Sequence, residues 1–417
     1  MLTDFRGYYI LSIMLDIGIG LSSGKNAAMA AEEITRQAKA NKLTKNKVDL
    51  ALLFTSPEFS SANFLRTINN MLGGIPVVGL TGPAIFSNQG IFKHGAVLTL
   101  LSLPEGALFS SACAKDIKIK PGLDTGEEIG DKLLYGIRNI TRCLGLLFFD
   151  RMVEDGPNII SGMQDHLGRS FPCVGVFPSD HFHPLRTSLY FNQSIVTDGC
   201  AGIVLGGKIY CGIGTKHGWK PLGKPHTVSA SAANIIKSID GQPAVKLYEE
   251  YLACDLNRLK KEIKELSTSY PVGVFVPGET EYILRSVHSV SDDGSLICQG
   301  NIPEGSVIRL MISTKETCLK ATYEAVAEAA KNVSNPMVKF GKTKTSQLAI
   351  AFSSFSRYNL LRRDAARELE IIRESLAPGT PVIGMYSGCQ LAPLMAMGYR
   401  GQSYLHNQTV SVLLLEG

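Results

Sequence analysis

The 417-residue chain is short of the features that usually advertise chemistry. It has no HExxH, P-loop or Rossmann fingerprint, so the common metalloprotease and nucleotide-binding classes lack their local signature. Nine cysteines occur without a CxxC or any other regular metal spacing. That pattern excludes a zinc-ribbon arrangement, argues against a disulfide framework and fits buried thiols in a reducing compartment, so the expected location is the cytoplasm. A Cys-x-x-Cys-His segment for covalent haem attachment is absent as well. The net charge of +5 is small for this length, and only Lys339 to Lys344 and Arg357 to Arg367 concentrate basic residues, so no nucleic-acid partner is expected. The N-terminal apolar run Tyr8 to Leu21 contains Asp16 and several glycines and is too short to span a bilayer. It reads as a first strand rather than a membrane insertion, with Met14 an alternative to Met1 as the biological start.

What the chain does have is a tetrapeptide pattern used three times: Pro76-Val-Val-Gly79, Pro172-Cys-Val-Gly175 and Pro381-Val-Ile-Gly384. Upstream of each stands an apolar run, Leu50 to Phe54, Leu144 to Phe148 and Leu348 to Phe352. Amphipathic segments flank the runs; Phe64, Leu65, Ile68, Met71 and Leu72, for example, recur at helical spacing and end at Gly73-Gly74. The pattern predicts three units of helix, strand, helix, strand and strand, in the layered α/β class where mixed sheets are covered by helices. Between the second and third units short alternating segments, Val272 to Val276, Tyr282 to Val287, Ser295 to Gln299 and Val307 to Met311, are separated by Asp-Asp-Gly and Pro-Glu-Gly turns and predict a β-meander. The domain boundary is expected between Gly218 and Gly241, which gives an N-terminal domain over 15–225 and a C-terminal domain over 226–417.

Several stretches in succession resemble the FIST family, proteins with a FIST N domain followed by a FIST C domain. They are Asp49 to Ser56, Pro76 to Gly79, Gly218-Trp-Lys-Pro-Leu-Gly223, Asp240 to Ala244, Tyr282-Ile-Leu-Arg285, Gly300 to Gly305, Phe352-Ser-Ser-Phe-Ser-Arg357, Pro381 to Gly384 and Leu405-His-Asn-Gln-Thr409. The resemblance implies a sensory module of a signal-transduction system that binds a small molecule such as an amino acid or carboxylate and acts through a separate partner protein. It also implies an alternative, a haem-binding nitric-oxide sensor; a protein-interaction scaffold is a third reading of the chain. The chain departs from the family pattern at Ser354, where a cysteine is common, and at Gly388-Cys389-Gln390, where Tyr-Gly-Glu is common.

Ligands in layered α/β folds gather at strand ends, and this rule selects the candidate ligand-binding residues. Arg357 follows the third apolar run and is suited to clamping a carboxylate. Tyr386, Gly388 and Cys389 follow the third Pro-x-x-Gly, and His406 and Asn407 precede the last strand. Trp219 is expected to pack the junction between domains, and His217 and His226 beside it are the imidazoles to consider for haem. His181-Phe-His183 is a two-imidazole pair without a third ligand in register. Catalysis is not the expected role; a Cys389–His406 nucleophile and base pair is the arrangement an enzyme would use.

Overall fold

The three apolar runs form buried strands because each of their faces has an apolar neighbour. In the computed structural model, which describes residues 14–24, 26–41, 47–150, 156–178, 187–279, 281–333, 347–396 and 399–417, Leu52, Phe54, Val78 and Leu80 face one core while Ala51, Leu53 and Val77 face a second. His181 to His183, Lys339 to Lys344 and the first part of the Tyr8 to Leu21 run lie outside the described residues.

The first segment contains β1 (Asp16–Ser22), α1 (Ala27–Ala40), β2 (Leu50–Thr55), α2 (Ala62–Leu72), β3 (Val77–Thr81), the hairpin β4 (Ala84–Ser87) and β5 (Gly90–Phe92), and β6 (Ala96–Ser102). The second contains β7 (Ala107–Lys115), α3 (Gly122–Leu134), β8 (Arg142–Phe149), α4 (Gly156–Leu167), β9 (Cys173–Phe177), the hairpin β10 (Leu189–Phe191) and β11 (Ser194–Val196), and β12 (Gly199–Gly207). A third begins with β13 (Tyr210–Lys216) and then leaves for a meander of β14 (Lys220–Ala232), β15 (Ile235–Ile239), β16 (Gln242–Pro243), α5 (Lys246–Leu252), α6 (Leu256–Ser269), β17 (Val272–Val274), β18 (Ile283–Arg285), β19 (Val287–Val290), β20 (Leu296–Cys298) and β21 (Val307–Ile312). It resumes with α7 (Lys315–Asn332), β22 (Leu348–Ser354), α8 (Phe355–Leu361), α9 (Ala365–Glu374), β23 (Val382–Ser387), the hairpin β24 (Cys389–Ala396) and β25 (Tyr399–Asn407), and β26 (Val410–Glu416). The expected first strand is β1, and beyond the sequence pattern the second and third segments also have a leading strand before their first helix and every segment has a hairpin before its last strand. Residue 225 lies inside the unbroken strand β14.

Three six-stranded sheets share one order: β1-β6-β2-β3-β10-β11, β7-β12-β8-β9-β24-β25 and β13-β26-β22-β23-β4-β5. In every case the first four strands come from one segment and the last two are a hairpin from another. β2 and β3, β8 and β9, and β22 and β23 pair in parallel, and each hairpin adds antiparallel to the second member. The phenylalanines that end the three apolar runs meet in the shared core, Phe54 with Phe148 at 5.7 Å, Phe54 with Phe352 at 5.9 Å and Phe148 with Phe352 at 6.3 Å, all edge to face. That geometry favours aromatic quadrupoles beyond their area burial.

The same frame explains the tetrapeptide glycines. A Cβ at Gly79, Gly175 or Gly384 would stand 1.9, 2.2 or 1.9 Å from the carbonyl oxygen of Leu53, Leu147 or Ala351 on the adjacent parallel strand. Only a residue without a side chain lets the strands lie this close. The meander is an eight-stranded sheet, its main path β18-β17-β21-β14-β15-β20-β19, packed on α5 and α6 around Tyr248, Leu259 and Ile263. Among the described residues no helix is long and apolar enough to cross a membrane.

Candidate functional site

The structure divides the candidate residues into two groups. β22 ends at Ser354, whose Oγ accepts from the Arg357 N–H and so caps α8, and this places Arg357 in the first turn with its side chain pointing inward. Arg357 is fully buried. Its Nε and Nη2 donate to Glu368 Oε1 at 3.0 and 2.7 Å, Nη1 to the His217 carbonyl at 2.7 Å, and Nη2 also to the Cys318 carbonyl at 2.8 Å and Thr322 Oγ1 at 2.7 Å. Tyr386 donates to Glu368 Oε2 at 2.9 Å, and Ser353 and Thr322 donate to Oε1. Every nitrogen of the guanidinium is thus engaged by protein, and Arg357 and Tyr386 meet through one buried carboxylate.

Gly388, Cys389, His406 and Asn407 come together elsewhere, on the hairpin β24–β25, where Cys389 lies opposite Asn407 and Gln390 opposite His406. Gly388 N–H donates to the Phe177 carbonyl at 3.0 Å, fastening the hairpin to β9. Asn407 Nδ2 donates to Cys389 Sγ at 2.8 Å while its Oδ1 accepts from Ser286 N–H at 2.9 Å, so it bridges hairpin and meander. His406 Nε2 faces the Ala392 carbonyl at 2.9 Å. Burial, assisted by the nearby Arg285 and His217, lowers its pKa to about 3, so the imidazole is neutral and Nε2 is the donor. His406 makes no hydrogen bond to Cys389, and the nucleophile and base pair expected of an enzyme is not formed.

A residue outside the candidate set completes this seam. Arg285, at the end of β18, is 7% exposed. It donates from Nε to the Asn301 carbonyl at 3.2 Å and from Nη1 to the carbonyls of Leu284 and Leu405 at 3.0 and 2.9 Å. No carboxylate of the described residues pairs with it, and burial lowers its pKa to about 10. Gly300, at φ +107°, lays the backbone against the guanidinium; a Cβ there would stand 2.9 Å from Arg285 Nε. The signal available in sequence is that Tyr282 to Arg285 and Gly300 to Gly305 both belong to the family stretches. An arginine ending an alternating segment reads as a solvated face until the hairpin that buries it is known.

Along the seam, Tyr404 Oη donates to Glu279 at 3.4 Å, and burial holds the Glu279 carboxyl above the usual carboxylate range. Lys216 lies 3.3 Å from Glu281 and 3.1 Å from Glu328. His217 Nδ1 accepts from Trp219 N–H at 2.9 Å, leaving Nε2 toward Glu281 at 3.3 Å, and burial lowers its pKa to about 3. Trp219 is buried at the junction, its Nε1 donating to the Ser269 carbonyl at 3.2 Å. His226 stands between Asp240 at 2.7 Å and Tyr251 at 3.3 Å. Both nitrogens of His226 are hydrogen-bonded to protein, so that imidazole does not fit an axial haem ligand in this arrangement, whereas His217 Nε2 is buried near Glu281 without a hydrogen bond. No three His, Cys, Asp or Glu side chains of the described residues are placed to hold a metal ion.

The fold and the seam define a two-part α/β protein in which a meander sheet is docked on three interlocked sheets. Residues 49–242 match the FIST N domain and residues 244–393 the FIST C domain, and the chain belongs to the FIST family. FIST domains are associated with sensory signal transduction. The chain is 25% identical over 309 residues to an uncharacterized protein of Methanocaldococcus jannaschii, covering 69% of this chain and 58% of that one. It is 22% identical over 260 residues to an uncharacterized protein of Mycobacterium tuberculosis, 60% of this chain and 63% of the relative. It thus spans less than two thirds of these two relatives. An uncharacterized protein of Mycobacterium bovis is 22% identical over 410 residues, 95% of this chain and 98% of its own. Among solved structures, phosphoribosylformylglycinamidine synthase II of Thermotoga maritima aligns with 96% of this chain and 72% of its own at 10% identity, with a TM-score of 0.21 that carries no argument about fold or function.

Proposed function

We propose that the chain is a small-ligand sensor whose ligand is an amino acid or small carboxylate received at the seam, and that a separate signalling protein reads its occupancy. The observation that carries this reading is Arg285, a buried guanidinium whose partners are all carbonyls. The contrast with Arg357 is internal to the molecule, since Arg357 is also buried but paired with Glu368 at 2.7 Å. An ion without a counter-charge is costly inside a protein, and a ligand carboxylate accepting from the remaining nitrogen, Nη2, supplies the missing charge. Gly388, Cys389, His406 and Asn407 form the hairpin side of the seam. Arg357 and Tyr386 act from behind it by holding the His217 end of β13 through the Glu368 network.

Binding acts by favouring one arrangement of meander and hairpin over another, because Arg285 and Asn407 already tie the two together. The common strand order of the three sheets further supports reading the three segments as copies of one repeated unit, with the ligand site built on the third copy and the meander inserted in it. Thermal-shift and calorimetric screens over amino acids and small carboxylates test the proposal. A stabilising ligand is expected to lose on the order of tenfold or more in affinity in Arg285→Gln. Ligands that bind that variant as well as the parent would refute the assignment.

A further inference from the structure

A cavity of about 970 Å³ opens on the other side of the meander junction, where α6, α7 and α8 converge. Its rim carries four cations, Lys93 beyond β5, Lys315 at the start of α7, and Arg362 and Arg363 after α8, with Glu265 the one carboxylate of the lining. Lys315 is paired with Asp364 at 2.6 Å. The other three make no ion pair to a described residue; Lys93 instead sits over the Tyr358 ring at 5.6 Å. Concentrating like charge around a concavity is unfavourable for folding and is compensated where an anion is taken up.

A second, independent observation lies in the backbone. Arg362 adopts φ 54°, ψ −113°, in the positive-φ half of the map that a side chain resists. α2 ends in the easy way, on Gly73 at φ 69°. Here the same helix-ending role falls to an arginine, and two consecutive arginines line one opening. Residues held against their preference collect at binding sites. The cavity falls within the range of small-molecule sites, and the cations match phosphate oxygens better than a single carboxylate.

We propose that this cavity is a second ligand site, distinct from the Arg285 seam, for a small phosphorylated metabolite. Lys93, Arg362 and Arg363 take its phosphate oxygens, and Glu265 accepts from a hydroxyl or amino group on the same molecule. Occupancy is coupled to the junction, since Ser269 in the wall accepts the Trp219 indole N–H and Leu360 packs against the cluster of Trp219, Leu284 and Met311.

The single tryptophan is therefore a built-in reporter. The full chain is titrated with inorganic pyrophosphate and followed by Trp219 fluorescence and by calorimetry. Saturable binding that weakens with added salt is expected. The double variant Arg362→Gly, Arg363→Gln is expected to bind on the order of a hundredfold more weakly while melting no lower than the parent, because glycine suits the positive φ. Arg285→Gln should bind pyrophosphate unchanged, which separates this site from the carboxylate reading. Absence of saturable binding at millimolar pyrophosphate, undiminished binding in the double variant, or loss of binding in Arg285→Gln would each overturn the proposal. Displacement of pyrophosphate by a single-stranded oligonucleotide, with the steep salt dependence of many phosphate contacts, would overturn it in favour of a nucleic-acid surface.

Discussion

Arg357→Met removes the buried guanidinium while keeping most of its apolar volume. In the parent, Glu368 Oε1 accepts from Arg357 Nε and Nη2, and the carbonyls of His217 and Cys318 receive Nη1 and Nη2. The substitution leaves the Glu368 carboxylate, 2% exposed, with only the hydroxyls of Tyr386, Ser353 and Thr322. Stranding one member of a buried ion pair costs about 3–5 kcal/mol. A loss of that size is a large part of the about 5–15 kcal/mol that holds an ordinary domain together. Urea denaturation at neutral pH reads it directly, and Glu368→Gln completes a double-mutant cycle. The double variant is expected to be more stable than Arg357→Met alone, because no charge is left unpaired in it, and the coupling should exceed about 1 kcal/mol. An Arg357→Met protein within about 0.5 kcal/mol of the parent would refute the argument, since that is the range of a surface substitution.

Three further outcomes follow from the same geometry. Arg285→Met also removes a buried arginine, but one with no carboxylate to strand, so urea midpoints should show a clearly smaller loss than for Arg357→Met. An equal loss would mean that Arg285 has a structural counter-charge. The low pKa of His406, about 3 against about 6.5 when unfolded, means the folded protein refuses a proton that the unfolded chain accepts. Stability from this source is therefore complete at neutral pH and lost as pH falls from about 6.5 toward about 3. At pH 5 the loss is about 2 kcal/mol, and His406→Gln, which keeps a donor for the Ala392 carbonyl, should flatten the pH 7 to pH 5 difference by that amount in denaturant titrations. Finally, Gly384→Ala drives a Cβ to 1.9 Å from the Ala351 carbonyl and should cost about 1–3 kcal/mol, whereas Gly136→Ala, whose Cβ would meet nothing closer than 3.6 Å, should be nearly neutral by thermal melting.

The parts of the fold that hydropathy reveals are those whose partners are near in sequence. The runs ending at Phe54, Phe148 and Phe352 and the three Pro-x-x-Gly segments occupy β2, β8, β22, β3, β9 and β23, because parallel strands covered on both faces must be apolar throughout. The leading strands of the later segments and the hairpins are harder to read. β13 carries Gly212 and Gly214, where α7 presses so close that a Cβ would stand 2.0 and 1.9 Å from the Ala329 and Ala325 carbonyls, and glycine hides the strand from any propensity argument. The hairpins pair with strands from another segment, a choice with no local trace. Arg357 illustrates the same limit at the site. Its place at a strand end is legible, but its partner Glu368 depends on how α8 and α9 fold back. Arg285 was obscured for the opposite reason, since a lone charge at the end of a short strand suggests solvent.

The traffic of the three hairpins has a consequence for how the two named domains relate. β4–β5 leaves residues 49–242 to finish the sheet of β22 and β23, and β24–β25 travels back to finish the sheet of β8 and β9. The border between FIST N and FIST C is thus a line on the gene and not a plane in the molecule. An N-terminal half expressed alone would expose the hydrogen-bonding edge of β9 and carry β4–β5 with no sheet to join, the kind of bare margin that makes chains stick to one another. In the intact protein the same crossing works as wiring: a displacement of the hairpin that bears Cys389 and Asn407 arrives in a sheet whose other strands all lie between residues 107 and 207. If the seam receives a ligand as proposed, occupancy on the C-terminal stretch would be displayed on the N-terminal one.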